Sequence, residues 1–302
     1  MPFECQPSSC HETQVPKVSV GMPVYNGENF IREALDSLLA QTFTDFELII
    51  SDNASTDRTE AICREYAAKD VRIRYERQGE NRGAIANFKF VLDEAQGEYF
   101  MWAAADDKWD KEWIEKLLKN IRGNTAISFG HVVSISENDE IIKTYKYRPY
   151  SRIRIIRLIQ FFIRESSIYG KPNLIYSIFK TNFLKRYKMR IYNNATFAPD
   201  VHFIFDLIQS SIVVTDISTK LYKRTVIDSY KVIQSRTPFK ARLVLLHDIL
   251  IHQITFLIIV HGFFTKVLLS IILPINFFKS LVIRIIQSLC FKRTKLVEFL
   301  LK

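Results

Sequence analysis

The sequence is poor in glycine and cysteine, and it lacks the short motifs of several common α/β enzymes. Nine glycines and four cysteines occur among 302 residues. There is no GxGxxG segment and no Walker A sequence, so the usual phosphate loops of dinucleotide-binding proteins and P-loop NTPases are absent. No Ser or Cys stands in a nucleophile elbow. These absences exclude the best-known α/β dehydrogenase, NTPase and hydrolase patterns.

The cysteines and the N-terminal segment indicate a reducing compartment. The cysteines are too few and too scattered for a disulfide framework: Cys5, Cys10, Cys63 and Cys290. We interpret them as free thiols. Residues 1–16 have neither a basic stretch nor an apolar core, unlike a secretory signal. We therefore expect a disordered segment over residues 1–16 and a catalytic part in the cytoplasm.

Charge is divided unevenly along the chain. Residues 1–130 hold 15 Lys/Arg and 22 Asp/Glu, whereas residues 131–302 hold 27 and 10. This division suggests chemistry in the acidic half and an anionic surface as partner of the basic half. Nucleic acid is the generic anionic partner, but no zinc-finger spacing, RNP-like motif or helix-turn-helix signature is present, so we expect none.

The first half alternates short apolar runs with helical patterns, as a parallel α/β sheet requires. Strands are predicted over residues 18–22, 46–51, 71–75 and 99–103, with a helix after each of the first three. Right-handed crossovers then place ligand binding beyond the carboxyl ends of the strands. Further strands are predicted in the second half, over residues 125–131, 140–147, 212–214 and 221–224.

Polar residues follow each of the first four predicted strands. In chain order they are Pro23, Val24, Tyr25 and Asn26; Asp52 and Asn53; Asn81, Arg82 and Gly83; and Asp106 and Asp107. Any one of these groups could be an ordinary solvated turn. Because all four fall at the same edge of one sheet, together they predict a polar binding pocket.

The adjacent carboxylates Asp106 and Asp107, here called the acidic pair, are the most informative of these groups. They follow the apolar run Tyr-Phe-Met-Trp-Ala. Hard oxygen ligands of this kind suit Mg²⁺ or Mn²⁺, which commonly complete their shell with waters and substrate phosphates. An alternative is that one of the two acids caps a helix beginning near Trp109.

Two segments carry a resemblance to a known family. They read VSVGMPVYNGENFIREALDSLLAQTFTDFELIISDNASTDRT and ENRGAIANFKFVLDEAQGEYFMWAAADD. Both resemble the family 2 inverting glycosyltransferases of the GT-A fold, strongly over residues 17–120 and more weakly to about Tyr230. The resemblance implies a mixed, mainly parallel sheet flanked by helices, and a nucleotide-diphosphate-sugar donor, for which we expect a UDP-sugar.

The resemblance also implies roles for the pocket residues. Pro23, Val24, Tyr25, Asn26 and Asp52 would hold the base and ribose, with Asp52 addressing a uracil edge. Asn81 and Arg82, beside Asn53 and Gly83, would approach the nucleotide or its diphosphate. The acidic pair would bind Mn²⁺ or Mg²⁺.

The chain departs from the family at the acidic motif. Many members have Asp-x-Asp-Asp where this chain has Ala104-Ala105-Asp106-Asp107. Because the leading carboxylate is missing, we expect weaker metal binding, and metal independence stays open as an alternative.

The catalytic base implied by the resemblance is a carboxylate that precedes an apolar helix. Residues 197–203 match that segment, and Asp200 is the candidate base that deprotonates the acceptor hydroxyl. Asp206 and Asp216 are competing acids. Asp200 could also serve as an N-cap or first-turn acid of its helix, and both roles can coexist.

The C-terminal residues 238–302 are basic and strongly apolar. Residues 249–265 contain no Lys, Arg, Asp or Glu, which is slightly short for a membrane span of about 20 residues. We interpret this tail as interfacial helices on the membrane, with packing over the catalytic domain or dimerisation as alternatives.

The sequence thus predicts three segments and one activity. Residues 17–237 form the GT-A domain, with a nucleotide-sugar half (17–122) and an acceptor half (123–237), followed by the tail. The predicted activity is transfer of a hexose or N-acetylhexosamine to a lipid-linked or polysaccharide acceptor, at the cytoplasmic face of a bacterial inner membrane. The rival hypotheses are a non-catalytic membrane scaffold and a nucleotidyltransferase.

Overall fold

The computed structural model describes residues 15–163, 171–187 and 199–225. Its strands are β1 Val18–Val24, β2 Phe46–Asp52, β3 Ile73–Arg77, β4 Tyr99–Trp102, β5 Lys108–Trp109, β6 Thr125–Ile135, β7 Ile141–Tyr145, β8 Ile178–Lys180 and β9 Ile212–Arg224. Its helices are α1 Ile31–Leu39, α2 Thr59–Lys69, α3 Ala84–Asp93, α4 Trp113–Lys119, α5 Arg154–Ile163, α6 Thr181–Arg186 and α7 Pro199–Ser210, with a 3-10 helix over Lys171–Tyr176.

The strands form one mixed sheet in the order β3-β2-β1-β4-β8-β6-β9-β5, with β7 paired to β6. The four strands β3, β2, β1 and β4 are parallel. Strand β8 runs antiparallel to both β4 and β6, and β9 runs parallel to β6. The predicted α/β class, with a mixed and largely parallel sheet between helices, is confirmed.

The apolar runs of the first half become the centre of the sheet. All seven residues of β2 are buried, and β4 contributes the fully buried rings of Phe100 and Trp102. Helix α1 buries Ile31, Ala34, Leu35 and Leu38, which share one face because helical side chains recur every three to four residues. Burial of this face holds α1 against the sheet, and it brings the start of the helix to the carboxyl end of β1.

Several predicted boundaries differ from the structure, two of them at turns that side chains hold. Strand β3 starts at Ile73, because the Asp70 carboxylate accepts the main-chain N–H of Arg72 and keeps residues 70–72 in a turn. The two short strands predicted at 212–214 and 221–224 are one strand, β9. Its register against β6 shifts near Asp216, whose Oδ1 accepts the Ser218 N–H at 2.8 Å.

The prediction of a helix that begins near Trp109 is wrong. Lys108 and Trp109 form the short strand β5, which pairs with β9, and the following helix α4 begins at Trp113. Neither acid of the acidic pair therefore caps a helix.

Several predicted segments lie outside the described residues. They are most of the N-terminal segment 1–16, the domain boundary at residue 237 and the whole tail 238–302. In the part of the chain that the structure describes, no helix combines the length and apolar character needed to cross a membrane.

Candidate functional site

The loops that follow β1, β2 and β3 are tied to one another. We call residues 25–30, 53–58 and 78–83 the nucleotide-side loops. The carbonyl of Val24 accepts the Asn53 N–H at 2.9 Å. The Asn26 N–H donates to Ser55 Oγ at 2.9 Å, and Asn26 Oδ1 accepts the Thr56 N–H at 2.9 Å. These bonds bring the predicted residues after the first two strands together.

Asp52 is fully buried at the end of β2, and both of its carboxylate oxygens have partners. Oδ1 accepts the Ser55 N–H at 2.8 Å, and Oδ2 accepts the Tyr75 hydroxyl at 2.8 Å. Burial raises the pKa of Tyr75, and the hydrogen bond to Asp52 raises it further, so the phenol stays a proton donor. In this arrangement Asp52 organises the loop that carries Asn53.

The third loop joins the same cluster through side-chain amides. Asn53 Nδ2 donates to Asn81 Oδ1 at 2.8 Å, and Asn53 Oδ1 accepts the Arg82 N–H at 2.9 Å. Asn81 Oδ1 also accepts the Gly83 N–H at 2.9 Å. The structure therefore groups Asn53, Asn81, Arg82 and Gly83, and it leaves Arg82 exposed at the surface of the cluster.

Gly83 owes its place to backbone conformation. Its φ of +82° is a conformation that residues with a Cβ rarely adopt, and an added Cβ would meet no atom within 4 Å. Close approach of another chain atom is thus not the reason for glycine here. Gly83 precedes α3 directly, so its conformation sets the direction in which that helix starts.

Asn87 is a site-supporting residue that the sequence analysis missed. It is buried in α3, where its Nδ2 donates to the Ser51 carbonyl at 2.9 Å and its Oδ1 accepts the Ser51 hydroxyl at 2.5 Å. Asn87 Nδ2 also approaches the Val24 carbonyl at 3.4 Å. An asparagine on the apolar face of a predicted helix was the available signal.

The first loop presents two of the predicted residues to solvent. The Tyr25 residue is 49% exposed, and Asn26 adopts a left-handed φ of 51°. Ala54, in the neighbouring loop, has a φ of 60°. Left-handed conformations outside glycine are held by their surroundings and concentrate at functional sites. Both residues lie in loops whose hydrogen bonds determine that conformation.

The acidic pair follows β4 and has a different environment. Asp106 is exposed, whereas Asp107 is 1% exposed. Asp107 Oδ1 accepts the Arg224 N–H at 2.9 Å, while Asp107 Oδ2 is buried without a hydrogen-bond partner among the described residues. An unpaired buried carboxylate oxygen is costly, so this atom calls for a cation or a proton.

The charges around the acidic pair explain its protonation behaviour. Burial raises the pKa of Asp107 well above its usual value, and the neighbouring Asp106 raises it further. The protein around the exposed Asp106 partly removes its hydration and so raises the pKa of Asp106, against the opposing charges of Lys223 and Arg224. Full ionisation of the pair would therefore place negative charge there that the surrounding protein compensates only in part.

The residues present fit a divalent cation. Two adjacent carboxylates supply hard oxygen donors, and Asp107 has one oxygen without a partner. Within the described ranges, no group of three or more His, Cys, Asp or Glu side chains is arranged to hold a metal. The acidic pair would thus bind a cation that takes its other ligands from water or from substrate.

Two basic residues at the end of β9, Lys223 and Arg224, lie near the acidic pair and were not among the predicted site residues. Arg224 donates from Nε to the Asp106 carbonyl at 3.3 Å, and Lys223 Nζ donates to Asn173 Oδ1 at 3.0 Å. The sequence analysis treated them only as part of a basic second half. Adjacent Lys and Arg at a strand end were the signal, but nothing local connects them to a loop more than a hundred residues earlier.

The candidate base Asp200 lies in the first turn of α7. Its side chain lies outside the described residues, so the structure does not place its carboxylate. Of the two competing acids, Asp206 is in contact with Gln209. Asp216 accepts bonds from Ser218 and Asn120, and these bonds outweigh burial and hold the pKa of Asp216 below its usual value. Asp216 is thus engaged in holding the irregular part of β9.

Comparison with known proteins extends this picture. Residues 19–190 match the model of glycosyl transferase family 2. TuaG of Bacillus subtilis, a protein assigned to teichuronic acid biosynthesis, is 39% identical over 137 residues, which cover 45% of this chain and 54% of TuaG. The chain spans about half, or less, of the length of the curated relatives it matches.

Solved structures show the same fold. Residues 1–349 of S. aureus TarS, in complex with UDP-GlcNAc, superpose with a TM-score of 0.58 at 20% identity, covering 78% of this chain and 66% of that one. The mannosyltransferase PcManGT from Pyrobaculum calidifontis, in complex with GDP-Man and Mn²⁺, has a TM-score of 0.57 at 18% identity, covering 98% and 83%. The predicted GT-A fold is confirmed, and the chain belongs to glycosyl transferase family 2.

Proposed function

We propose that this chain transfers a hexose or N-acetylhexosamine from a UDP-sugar to a glycan acceptor in surface polysaccharide biosynthesis, with inversion at the anomeric carbon. The observation that carries the proposal is the unpartnered, buried Oδ2 of Asp107 beside Asp106, at the sheet edge that also gathers the nucleotide-side loops. Family membership supports glycosyl transfer as the reaction, and the assignment of TuaG to teichuronic acid biosynthesis supports a polysaccharide setting.

The polar cluster at the ends of β1, β2 and β3 supports binding of the donor at this edge of the sheet. Tyr25 offers an exposed ring against which a base can stack, and the exposed Asn81 offers its amide nitrogen to the nucleotide, while Asn53 supports Asn81 and Arg82 from beneath. TarS was solved with UDP-GlcNAc and PcManGT with GDP-Man, so GDP is the nucleotide against which UDP must be tested.

A divalent cation, Mn²⁺ or Mg²⁺, is assigned to the acidic pair. When bound, it neutralises the charge that develops on the departing diphosphate. Asp107 contributes the oxygen that has no protein partner, and Asp106 contributes the more exposed carboxylate. Lys223 lies near enough to influence both acids, so it adds a fixed positive charge on this side of the site.

Asp200 is assigned as the base that accepts the proton of the attacking acceptor hydroxyl. Its position in the first turn of α7 supports this role, because the positive end of a helix dipole favours the carboxylate form. Direct attack by that hydroxyl at the anomeric carbon forms the new glycosidic bond, breaks the bond to the diphosphate and inverts the configuration.

The composition of the basic half of the chain supports a lipid-linked acceptor and a location at the membrane. Residues 143–190 hold 13 Lys/Arg and one acid, Glu165, which suits an acceptor linked to a lipid phosphate. Residues 238–302 supply the apolar and basic composition of an interfacial membrane segment. The enzyme would then work at the cytoplasmic face of the membrane.

Thermal unfolding of the full chain with UDP, GDP and dTDP, each with and without Mn²⁺, tests the donor and the metal. We expect stabilisation that needs both UDP and Mn²⁺, amounting to about 2.7 kcal/mol at a ligand concentration of one hundred times Kd. A shift with GDP alone among the nucleotides would reassign the donor. Absence of any shift would favour the non-catalytic scaffold, for which the missing carboxylate at Ala104 is the main support.

The base is tested separately with Asp200→Asn. The variant should retain the UDP and Mn²⁺ shift while transfer to acceptor is lost, because binding and proton transfer use different residues. Full transfer activity in Asp200→Asn would remove Asp200 from the mechanism.

A further inference from the structure

Arg224, the last residue of β9, is buried among two acidic residues and one aromatic ring. Its side chain is 1% exposed, with Nη2 at 2.8 Å from Glu33 Oε2 and Nη1 at 3.2 Å from Asp139 Oδ1. The guanidinium carbon lies 4.3 Å from the centre of the Phe30 ring. Glu33 and Phe30 lie at the start of α1, so Arg224 ties the end of β9 to that helix.

Arg224 also binds the main chain of two loops. Its Nε donates to the Asp106 carbonyl at 3.3 Å, and its Nη1 donates to the Glu137 carbonyl at 2.8 Å. Its own main-chain N–H donates to Asp107 Oδ1 at 2.9 Å. One residue therefore contacts both members of the acidic pair, Asp106 through its carbonyl and Asp107 through its carboxylate.

Lys108 completes this arrangement, which we call the four-charge network: Arg224, Lys108, Glu33 and Asp139. Lys108 Nζ lies 2.7 Å from Asp139 Oδ2 and 3.1 Å from Glu33 Oε2, the same two acids that Arg224 contacts. Lys108 directly follows Asp107 in the chain. Positively charged side chains thus hold the segment that carries the acidic pair on both sides of Asp107. Arg224 and Lys108 share the carboxylates of Glu33 and Asp139.

We propose that Arg224 is a positioning residue for the metal-binding acidic pair, acting through the four-charge network. The inference rests on the proposed function. Partners that hold metal ligands in place are typically worth about 10- to 100-fold in metal affinity. Arg224 satisfies Asp107 Oδ1 and binds the Asp106 carbonyl, so it restrains the Asp107 carboxylate and the main chain that carries Asp106 before a cation arrives.

Lysine cannot replace arginine in this role. The contacts of Arg224 use Nε, Nη1 and Nη2 in different directions, which a planar guanidinium provides and a single ammonium does not. Arg224→Lys therefore keeps the charge and the main-chain N–H donated to Asp107, and it removes the Nε bond to the Asp106 carbonyl together with the Nη bonds to Glu137 and Glu33.

The experiment compares Arg224→Lys with Arg157→Lys in the full chain. Arg157 is a matched control, since it is 4% exposed and its guanidinium donates to the Ile208 carbonyl at 2.8 Å and the Arg152 carbonyl at 2.9 Å. Mn²⁺ affinity is measured by titration with Mn²⁺ alone and with UDP present. We expect Arg224→Lys to weaken Mn²⁺ binding by about 10-fold or more and Arg157→Lys to leave it unchanged.

Amide hydrogen exchange without any ligand provides the second measurement. Peptides covering residues 104–110 and 136–140 should exchange faster in Arg224→Lys than in the wild-type chain, whereas a peptide covering residues 53–58 should not change. Arg157→Lys should leave all three peptides as in the wild type.

The outcomes separate the inference from the proposed function. Equal Mn²⁺ affinity in Arg224→Lys and the wild type overturns the inference, as does a wild-type chain that binds no Mn²⁺. Mn²⁺ binding without any effect of UDP counts against the proposed donor, and in that case the affinity ratio of the two variants still decides whether Arg224 positions the pair.

Discussion

The nucleotide-side loops and the acidic pair lie at one edge of the sheet, but their polar groups are arranged in opposite ways. In the loops, the buried carboxylate of Asp52 and the amide of Asn53 are satisfied by neighbouring protein groups. In the acidic pair, a buried oxygen of Asp107 has no partner within the described part of the chain. The first region is preorganised, and the second is electrostatically incomplete.

The two regions also differ in how far apart in sequence their partners lie. Asp52 and Tyr75 are separated by 23 residues, and Asn53 and Asn81 by 28. Arg224 is separated from Asp107 by 117 residues and from Glu33 by 191. The loops can therefore form within the first four strands, whereas the acidic pair reaches its final environment only when β9 joins the sheet.

Asp107→Asn should cause the largest loss of ligand binding. It tests the acidic pair, where a buried oxygen has no partner among the described residues. The variant keeps an acceptor for the Arg224 N–H but removes a proposed cation ligand, so we expect Mn²⁺-dependent UDP binding to weaken by about 100-fold or more. Calorimetric titration measures this change. Asp93→Asn, which alters an exposed ion pair with Lys89, is the control and should bind like the wild type.

The same variant gives a pH prediction. Because the folded chain raises the pKa of Asp107, the folded state holds a proton that the unfolded state releases, and stability from this group falls as pH rises above the usual Asp value. Without metal, the stability gain of Asp107→Asn over the wild type should therefore increase from pH 4 upward. Urea unfolding across this range measures it, and a gain that shrinks with rising pH would contradict the assignment.

Tyr75→Phe tests the nucleotide-side loops, where both oxygens of the buried Asp52 carboxylate have hydrogen-bond partners. Losing the phenol leaves Asp52 Oδ2 buried without its partner, so we expect a loss of about 1–3 kcal/mol in the free energy of unfolding. Tyr66→Phe is a matched control, because the Tyr66 hydroxyl donates to Asp36 at 2.7 Å at the exposed surface. The free energy of unfolding of Tyr66→Phe should fall by less than about 0.5 kcal/mol. Equal losses in the two variants would show that burial of Asp52 adds nothing.

Gly83→Ala should have a smaller effect. The cost is confined to the backbone, since φ of +82° with ψ of 161° is a conformation essentially restricted to glycine and the added Cβ meets no atom, and we expect about 1–2 kcal/mol of destabilisation. Gly79→Ala in the same loop also has free space and no left-handed φ, so it should be neutral or slightly stabilising. Thermal unfolding of both variants distinguishes the cost of an unfavourable backbone conformation from the cost of steric contact.

The smallest expected effect concerns the chemical reactivity of the Cys63 thiol. Burial, together with the nearby charges of Asp52 and Asp57, raises the pKa of the Cys63 thiol to about 12. The thiolate, which is the reactive form, is therefore scarce at pH 8. In the native chain we expect Cys63 to resist alkylation that the unfolded chain undergoes, as measured by mass spectrometry. Rapid native labelling would show that the loop packing around Asp52 opens.

Sequence reasoning located the strands and helices of the first half because their signals are local. The apolar runs of β1, β2 and β4 and the helical spacing of α1 are each contained in fewer than a dozen residues. The same reasoning missed β5, since Lys108 and Trp109 become a strand only by pairing with β9. Asn87 was missed for a similar reason, as its partners lie at the ends of two other strands.

The sequence by itself determined that this chain is an α/β protein of a recognisable family, and that its polar residues collect at the carboxyl edge of a parallel sheet. The two motif segments carry the resemblance to the family, and periodicity with the order of the elements predicts the polar edge, because parallel strands must end at the same edge. Tertiary structure alone decided which of those residues are satisfied and which are not. That distinction depends on burial and on long-range partners such as Arg224, which no local pattern connects to Asp106 and Asp107.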